Sequence, residues 1–213
     1  MTTPREKALS QFPAMYVTLV SVVQAIALEA LVSRVSEVGP LSMAGWDVAL
    51  LWLEIGLLGQ TIFYVWVSYT LLVTLAQWVF RIFDFGSAFA VGVFQLVAIG
   101  WVGPQTIKPF FLMVSVGFFS GAWISLSNTG AAAGREENRK TMELLPRRAI
   151  VVLLTLVGML GLVGLVVGDV HRYGPVPASI LLVIANGLLL LAQLKWFRWW
   201  ERVMRPERGE SAT

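Results

Sequence analysis

The sequence predicts an all-α, polytopic integral membrane protein of six transmembrane helices, with both termini on the cytoplasmic side. Three observations predict it. Hydrophobic residues make up 57% of the chain and charged residues only 14%, with a mean hydropathy of +0.74; soluble domains carry ~25% charged residues. Apolar runs long enough to cross ~30 Å of hydrocarbon alternate with breakers and polar turns. Lys and Arg collect on alternate sides of those runs, as the positive-inside bias requires.

In chain order, residues 1–12 are a short polar tail with Arg5 and Lys7. Residues 13–35 are the first span. The run is too long for the apolar core of a signal peptide, contains Gln24 and Glu29, and has no small-x-small cleavage site after it. Residues 36–45 turn the chain at Gly39-Pro40. Residues 46–84 are too long for one span and too short for two with a turn. Three registers fit. The span is 46–66 and a surface helix follows, with Thr70, Thr74, Gln77, Arg81 and Asp84 on one face. Or the span is 60–80 and residues 46–55 stand outside. Or one tilted helix runs the whole way, ~58 Å at 1.5 Å per residue. The topology is the same in all three, with the over-long second span at about 46–80.

The third span is 85–102, closed by Gly103-Pro104, and the fourth is 109–127. Residues 128–148 form a hydrophilic loop, where Glu136 with Lys140 and Glu143 with Arg147 have the spacing of helix-surface pairs. The fifth span is 149–168, residues 169–177 turn, and the sixth span is 178–197. A basic tail, 198–213, ends the chain, with Trp199 and Trp200 among its arginines.

This layout passes a charge test. The inner segments hold two, one, five and five Lys or Arg, and the outer segments hold only Arg34, Lys108 and Arg172, thirteen against three. A wrong number of spans would mix the two sets. Trp46, Trp101 and Tyr173 fall at the outer surface, and Trp78, Trp196, Trp199 and Trp200 at the inner one, as interfacial belts. The same clustering of cations beside spans removes nucleic acid as a partner and leaves the lipid bilayer. A bacterial protein of this layout belongs in the inner membrane.

Several residues are candidates for chemistry. Glu29 and Glu54 are the acids deepest in apolar sequence, and Gln24 and Gln60 sit deeper on the same spans. A charge at membrane depth costs at least ~2.5–3.5 kcal/mol, so retaining it points to an ion or proton path between spans one and two. Two close carboxylates would also share one proton near neutral pH. The structural alternative pairs Glu29 with Arg34 near the surface. Asp47, Glu54, Thr61 and Ser68 repeat every seven residues and draw a polar stripe inward. Arg81 and Asp84 form a surface ion pair at the inner end. Gln95 and Asn186 are interhelical hydrogen-bonding groups first and lining groups second. His171 is a turn residue.

Gly158, Gly161, Gly164 and Gly168 in span five, and Gly117 with Gly121 in span four, make faces for close helix approach. These faces serve packing inside one subunit or a homo-oligomer. The chain has no cysteine and one histidine, and no hydrolase, phosphate-loop or zinc motif. It therefore reads as no enzyme, with no cofactor and no metal site.

Six spans in 213 residues, with both ends inside, is similar in layout to the prokaryotic relatives of the lysosomal potassium channel. That family opens with Arg-x-x-x-Phe-Ser-Asp at its first span. Residues 17–27 read Val-Thr-Leu-Val-Ser-Val-Val-Gln-Ala-Ile-Ala, so the likeness is of layout alone and carries no residue role. The expected function is a small channel or transporter for an ion, proton or small solute. The alternative is a membrane subunit or scaffold that binds lipid or a cytoplasmic partner through its basic loop and tail.

Overall fold

The computed structural model describes residues 4–39, 45–76 and 82–205, and every regular element among them is helical. The helices are α1 (Pro4–Val38), α2 (Trp46–Leu75), α3 (Ile82–Gly100), α4 (Ile107–Ala133), α5 (Arg139–Glu143), α6 (Arg147–Val167), α7 (Val170–Tyr173) and α8 (Val176–Met204). Five of them (α1, α2, α4, α6 and α8) are long and apolar enough to cross a membrane. The apolar part of α3, Gly86–Gly100, is shorter.

Several boundaries differ from the sequence reading, each for a local reason. The polar tail is helical from Pro4, and Pro13 lies inside the helix. Proline at the first helical position costs nothing, because that N–H has no intrahelical acceptor. Helix α1 ends where Gly39 takes φ 63°, a conformation open to glycine. Helix α2 stops at Leu75, and Ala76 is extended with its N–H bonded to Leu72 O at 3.0 Å. The stretch from Trp46 to Asp84 is therefore not one continuous helix. The expected face of Thr70, Thr74 and Asp84 is broken, because Asp84 belongs to α3. Gln77, Trp78 and Arg81 lie outside the described residues. No glycine or proline marks this break. Tertiary bonds anchor the start of α3 instead: Tyr16 OH donates to Asp84 O at 3.1 Å, and the Tyr69 and Ser87 hydroxyls meet at 3.2 Å.

The hydrophilic loop is shorter than 128–148, since α4 continues through Ala133. The ion pair found on it is Arg139–Glu143 at 3.1 Å, not Glu136–Lys140 or Glu143–Arg147. The last helix continues through Met204, into what the sequence assigned to the tail.

Hydrogen bonds give the helix directions. On α1 and α3, Tyr16 meets Asp84 and Arg34 meets Val102, a constant offset of 68, so the two run parallel. On α2 and α8, Leu53 meets Asn186 and Gln60 meets Gln193, a constant offset of 133, so these are parallel as well. Between α1 and α2 the order reverses, with Trp66 bonded to Ser21. Contacts between α4 and α6 also reverse, from Gly158 against Phe119 to Gly168 against Phe111. The six long helices thus alternate in direction. The start of α1, the α4–α6 connection and the end of α8 share one end of the bundle, here the proximal end.

Each long helix packs chiefly on two others, in the order α1, α2, α8, α6, α4, α3 and back to α1. The bundle is a closed ring. Its tightest seam is α4–α6. A Cβ added at Gly161 would lie 2.9 Å from Phe111 O and Ser115 N, and one at Gly158 would lie 3.1 Å from the Phe119 ring. The glycine face of the fifth predicted span is therefore filled from within the chain. Without a hydrophobic drive between helices in lipid, such close backbone approach is what packing has to offer.

Candidate functional site

The bundle holds a half-open cavity of about 100 Å³, walled by α2, α3, α4 and one residue each from α6 and α8. Most of the wall is apolar. Its polar members are Thr61, Tyr64, Ser68 and Tyr69 from α2, Gln95 from α3, and Ser125, Asn128 and Thr129 from α4. None of the lining residues is charged. Gly117 and Gly121 also line it, and a Cβ added at either would meet nothing within 4 Å. These two glycines make room rather than a helix contact.

The hydroxyl protons are largely turned back to the protein. Thr61 donates to Leu57 O at 2.7 Å, Ser68 to Val65 O at 3.1 Å and Thr129 to Ser125 O at 2.7 Å. That pattern satisfies the donor and leaves acceptor lone pairs toward the cavity. Tyr64 OH accepts from Trp196 Nε1 at 3.1 Å and keeps its own proton. Gln95 stands apart. It is 3% exposed, and neither its amide nitrogen nor its amide oxygen has a partner. Nearly all buried polar groups in proteins are bonded, so an idle amide at a cavity wall calls for a ligand or water to complete it.

The residues predicted from sequence are not gathered at one place, and none of Gln24, Glu29, Glu54 and Gln60 lines this cavity. Glu29 is exposed on α1. Glu54 is fully buried at the distal end, where Oε2 accepts the Gly103 N–H at 2.8 Å and Oε1 has no partner. Arg34 donates to the carbonyl of the preceding residue, Val102, through Nε at 3.3 Å and Nη2 at 3.1 Å. Its ion-pair partner is Glu37 at 3.2 Å, not Glu29. Together Arg34 and Glu54 clasp the link between α3 and α4. Gly103 there has φ 140°, a backbone angle that side chains avoid.

Gln60 Nε2 donates to Asn186 Oδ1 at 2.9 Å, so it belongs to the α2–α8 seam. Gln24 is 4% exposed on α1, with both amide atoms unpartnered. Asp84 is fully buried rather than at a surface. Of the seven-residue stripe, Thr61 and Ser68 do reach the cavity, and Glu54 turns to Gly103 instead.

The aromatic residues expected at the two membrane surfaces differ in exposure. Trp46, Trp101, Tyr173 and Trp200 are exposed. Trp196 and Trp199 are instead buried to 2% and 0%, stacked edge to face at 5.4 Å. Their indole N–H groups bond Tyr64 OH and Thr141 O, the latter at 2.8 Å. They stitch α8 to α2 and to the proximal loop. At the distal end Lys108 pairs with Asp169 at 3.0 Å and holds its carboxyl below the usual range. His171 is exposed beside it on α7.

No group of three metal-ligating side chains occurs among the described residues. No family model, curated protein or solved structure matches the chain.

Proposed function

We propose that this is a six-span membrane channel or carrier for a small uncharged solute, with the ring cavity as its binding site. The observation that carries this reading is the cavity wall: apolar, free of charge, and holding the idle amide of Gln95. Such a wall suits a molecule with an apolar body and one or two hydrogen-bonding groups. A bare ion would need a charged ring or a full cage of oxygens to replace its water; the wall has no charge, and its few hydroxyl acceptors are outnumbered by apolar groups. This reading places the path at the centre of the bundle rather than between the first two spans.

Charge supports an orientation for this reading. The proximal end carries the richer set of Lys and Arg, which favours a cytoplasmic position for it and for both termini. In this reading α3, short but bordered by Trp101 at one end, serves as the third span. No side-chain arrangement described above provides a nucleophile with a base, so transport is preferred to catalysis.

The test is solute-driven swelling of liposomes carrying the purified protein, with neutral amides and polyols beside potassium and sodium salts. Neutral solutes should enter and salts should not. Gly121→Leu should block entry by filling space that is open around Gly121, and Gln95→Leu should slow it, both with unchanged helix content. Salt flux that persists in Gly121→Leu, or neutral flux indifferent to both substitutions, would remove the cavity from the pathway.

A further inference from the structure

A second hollow lies at the proximal end, in the elbow between α4 and α6. It measures about 660 Å³ and is lined by Thr129, Ala133, Arg139, Met142, Leu145, Arg147 and their neighbours. Three of the lining residues are arginines, Arg139, Arg147 and Arg148. Glu143 is the one acid on the wall, and Arg139 already holds it at 3.1 Å. Arg147 and Arg148 have no ion pair with any described residue. Arg147 is half-buried and reaches across the elbow, with Nη1 3.7 Å from where a Cβ would stand on Gly130. The hollow therefore has a cationic rim fixed on one side by helix packing. Its floor is apolar, from Met142, Leu145 and Ala133. Helix α6 starts in the same wall and has no side-chain cap, which leaves first-turn N–H groups as further donors.

We infer that this elbow binds the phosphate of an anionic phospholipid headgroup from the proximal leaflet. Two unpaired guanidinium groups match phosphate oxygens through paired N–H donors. The apolar floor suits the glycerol and upper acyl carbons of a lipid, which a free phosphate lacks. The position fits as well, because the elbow joins two apolar helices where they leave the hydrocarbon, and cations beside a span attract anionic lipid. The inference is independent of the solute reading: the two hollows share only Thr129, the arginines belong to this one alone, and an inert cavity would leave it standing.

The experiment titrates the purified full chain in neutral detergent with short-chain phosphatidylglycerol, with short-chain phosphatidylcholine, and with inorganic phosphate, reading bound lipid by native mass spectrometry and thermal midpoint. Phosphatidylglycerol should bind at least about tenfold more tightly than phosphatidylcholine, and Arg147→Gln/Arg148→Gln should erase that preference. Arg198→Gln/Arg202→Gln, on the same membrane face but outside the hollow, should leave it intact. Equal losses in the two double variants would overturn the site in favour of diffuse attraction. Saturation by inorganic phosphate at similar concentrations would overturn the lipid source. Should the first double variant fail to fold, exposed Arg148→Gln alone, together with Arg147→Lys, carries the same test, since lysine keeps the charge and loses the planar fork.

Discussion

Two seams of this bundle use the same side chain in opposite ways. Along α2–α8, every amide donor is spent. Gln60 donates to Asn186, Asn186 to Leu53 O at 3.2 Å and Leu182 O at 2.8 Å, and Gln193 to Gln60 O at 2.9 Å. On α1 and α3, the other parallel pair, Gln24 and Gln95 are more deeply buried and bond nothing. Both seams join parallel helices at a constant offset. The difference lies in what the offset brings together. On α2–α8 it sets amides opposite backbone carbonyls and another amide. On α1–α3 it sets Gly92 under Val23, so tightly that an added Cβ would collide with the Val23 side chain. Close approach is gained there, and neither glutamine amide finds a partner. A glutamine inside a membrane bundle is thus glue or an open valence, and the partner helix decides which.

The contrast can be broken most forcefully at Asn186. Replacing it with leucine leaves the Gln60 amide donor buried and unpaired, and should cost about 2 kcal/mol in unfolding from detergent. A loss well under half of that would mean the seam is held by its apolar contacts. Glu54 comes next, because it ties α2 to the residue group that follows α3. Glu54→Ala strands the Gly103 N–H and should cost about 1–3 kcal/mol, whereas Glu54→Gln keeps an acceptor in place and should cost less. Equal costs would show that the bond to Gly103 is not what matters.

On the idle seam the sign reverses. Gln24→Leu removes a buried amide that bonds nothing, and should raise the unfolding free energy by about 1 kcal/mol. A drop in stability instead would reveal a partner for Gln24, such as a water or a bound molecule. The smallest effect is at the distal surface. Lys108 lowers the carboxyl of Asp169, so their tie contributes above the unfolded value and is lost as pH falls through the depressed folded one. A carbon-detected titration of Asp169 should therefore fall below the ordinary aspartate range, and Lys108→Ala should return it there. No movement on that substitution would remove Lys108 as the cause.

Much of this was readable in the residues. Composition, the spacing of apolar runs and the glycine row of the fifth span all led to a helical bundle with a close seam, because a 3.6-residue period and missing side chains act locally. Thr61 and Ser68 were legible as an inward stripe for the same reason. Other features left no local trace. The end of α2 at Leu75 has no breaker, and the bonds from Tyr16 and Tyr69 that hold the next helix join residues 68 and 18 positions apart. Trp196 and Trp199 have the sequence signature of an interfacial belt. They are buried because α8 faces α2 and the proximal loop, where their N–H groups find acceptors.

By itself, then, the sequence determined that this chain is a set of long apolar helices with an uneven distribution of cations at its two ends. Hydropathy and helical period are properties of neighbouring residues, and they need no fold to be expressed. Only the tertiary structure decided that the helices close into a ring, that Glu54 clasps a link while Glu29 is exposed, and that the Gln95 amide is left without a partner while the Gln60 amide donates to Asn186. Those outcomes depend on which helix stands opposite, and at what offset, and one strand of sequence does not contain the position of its partner.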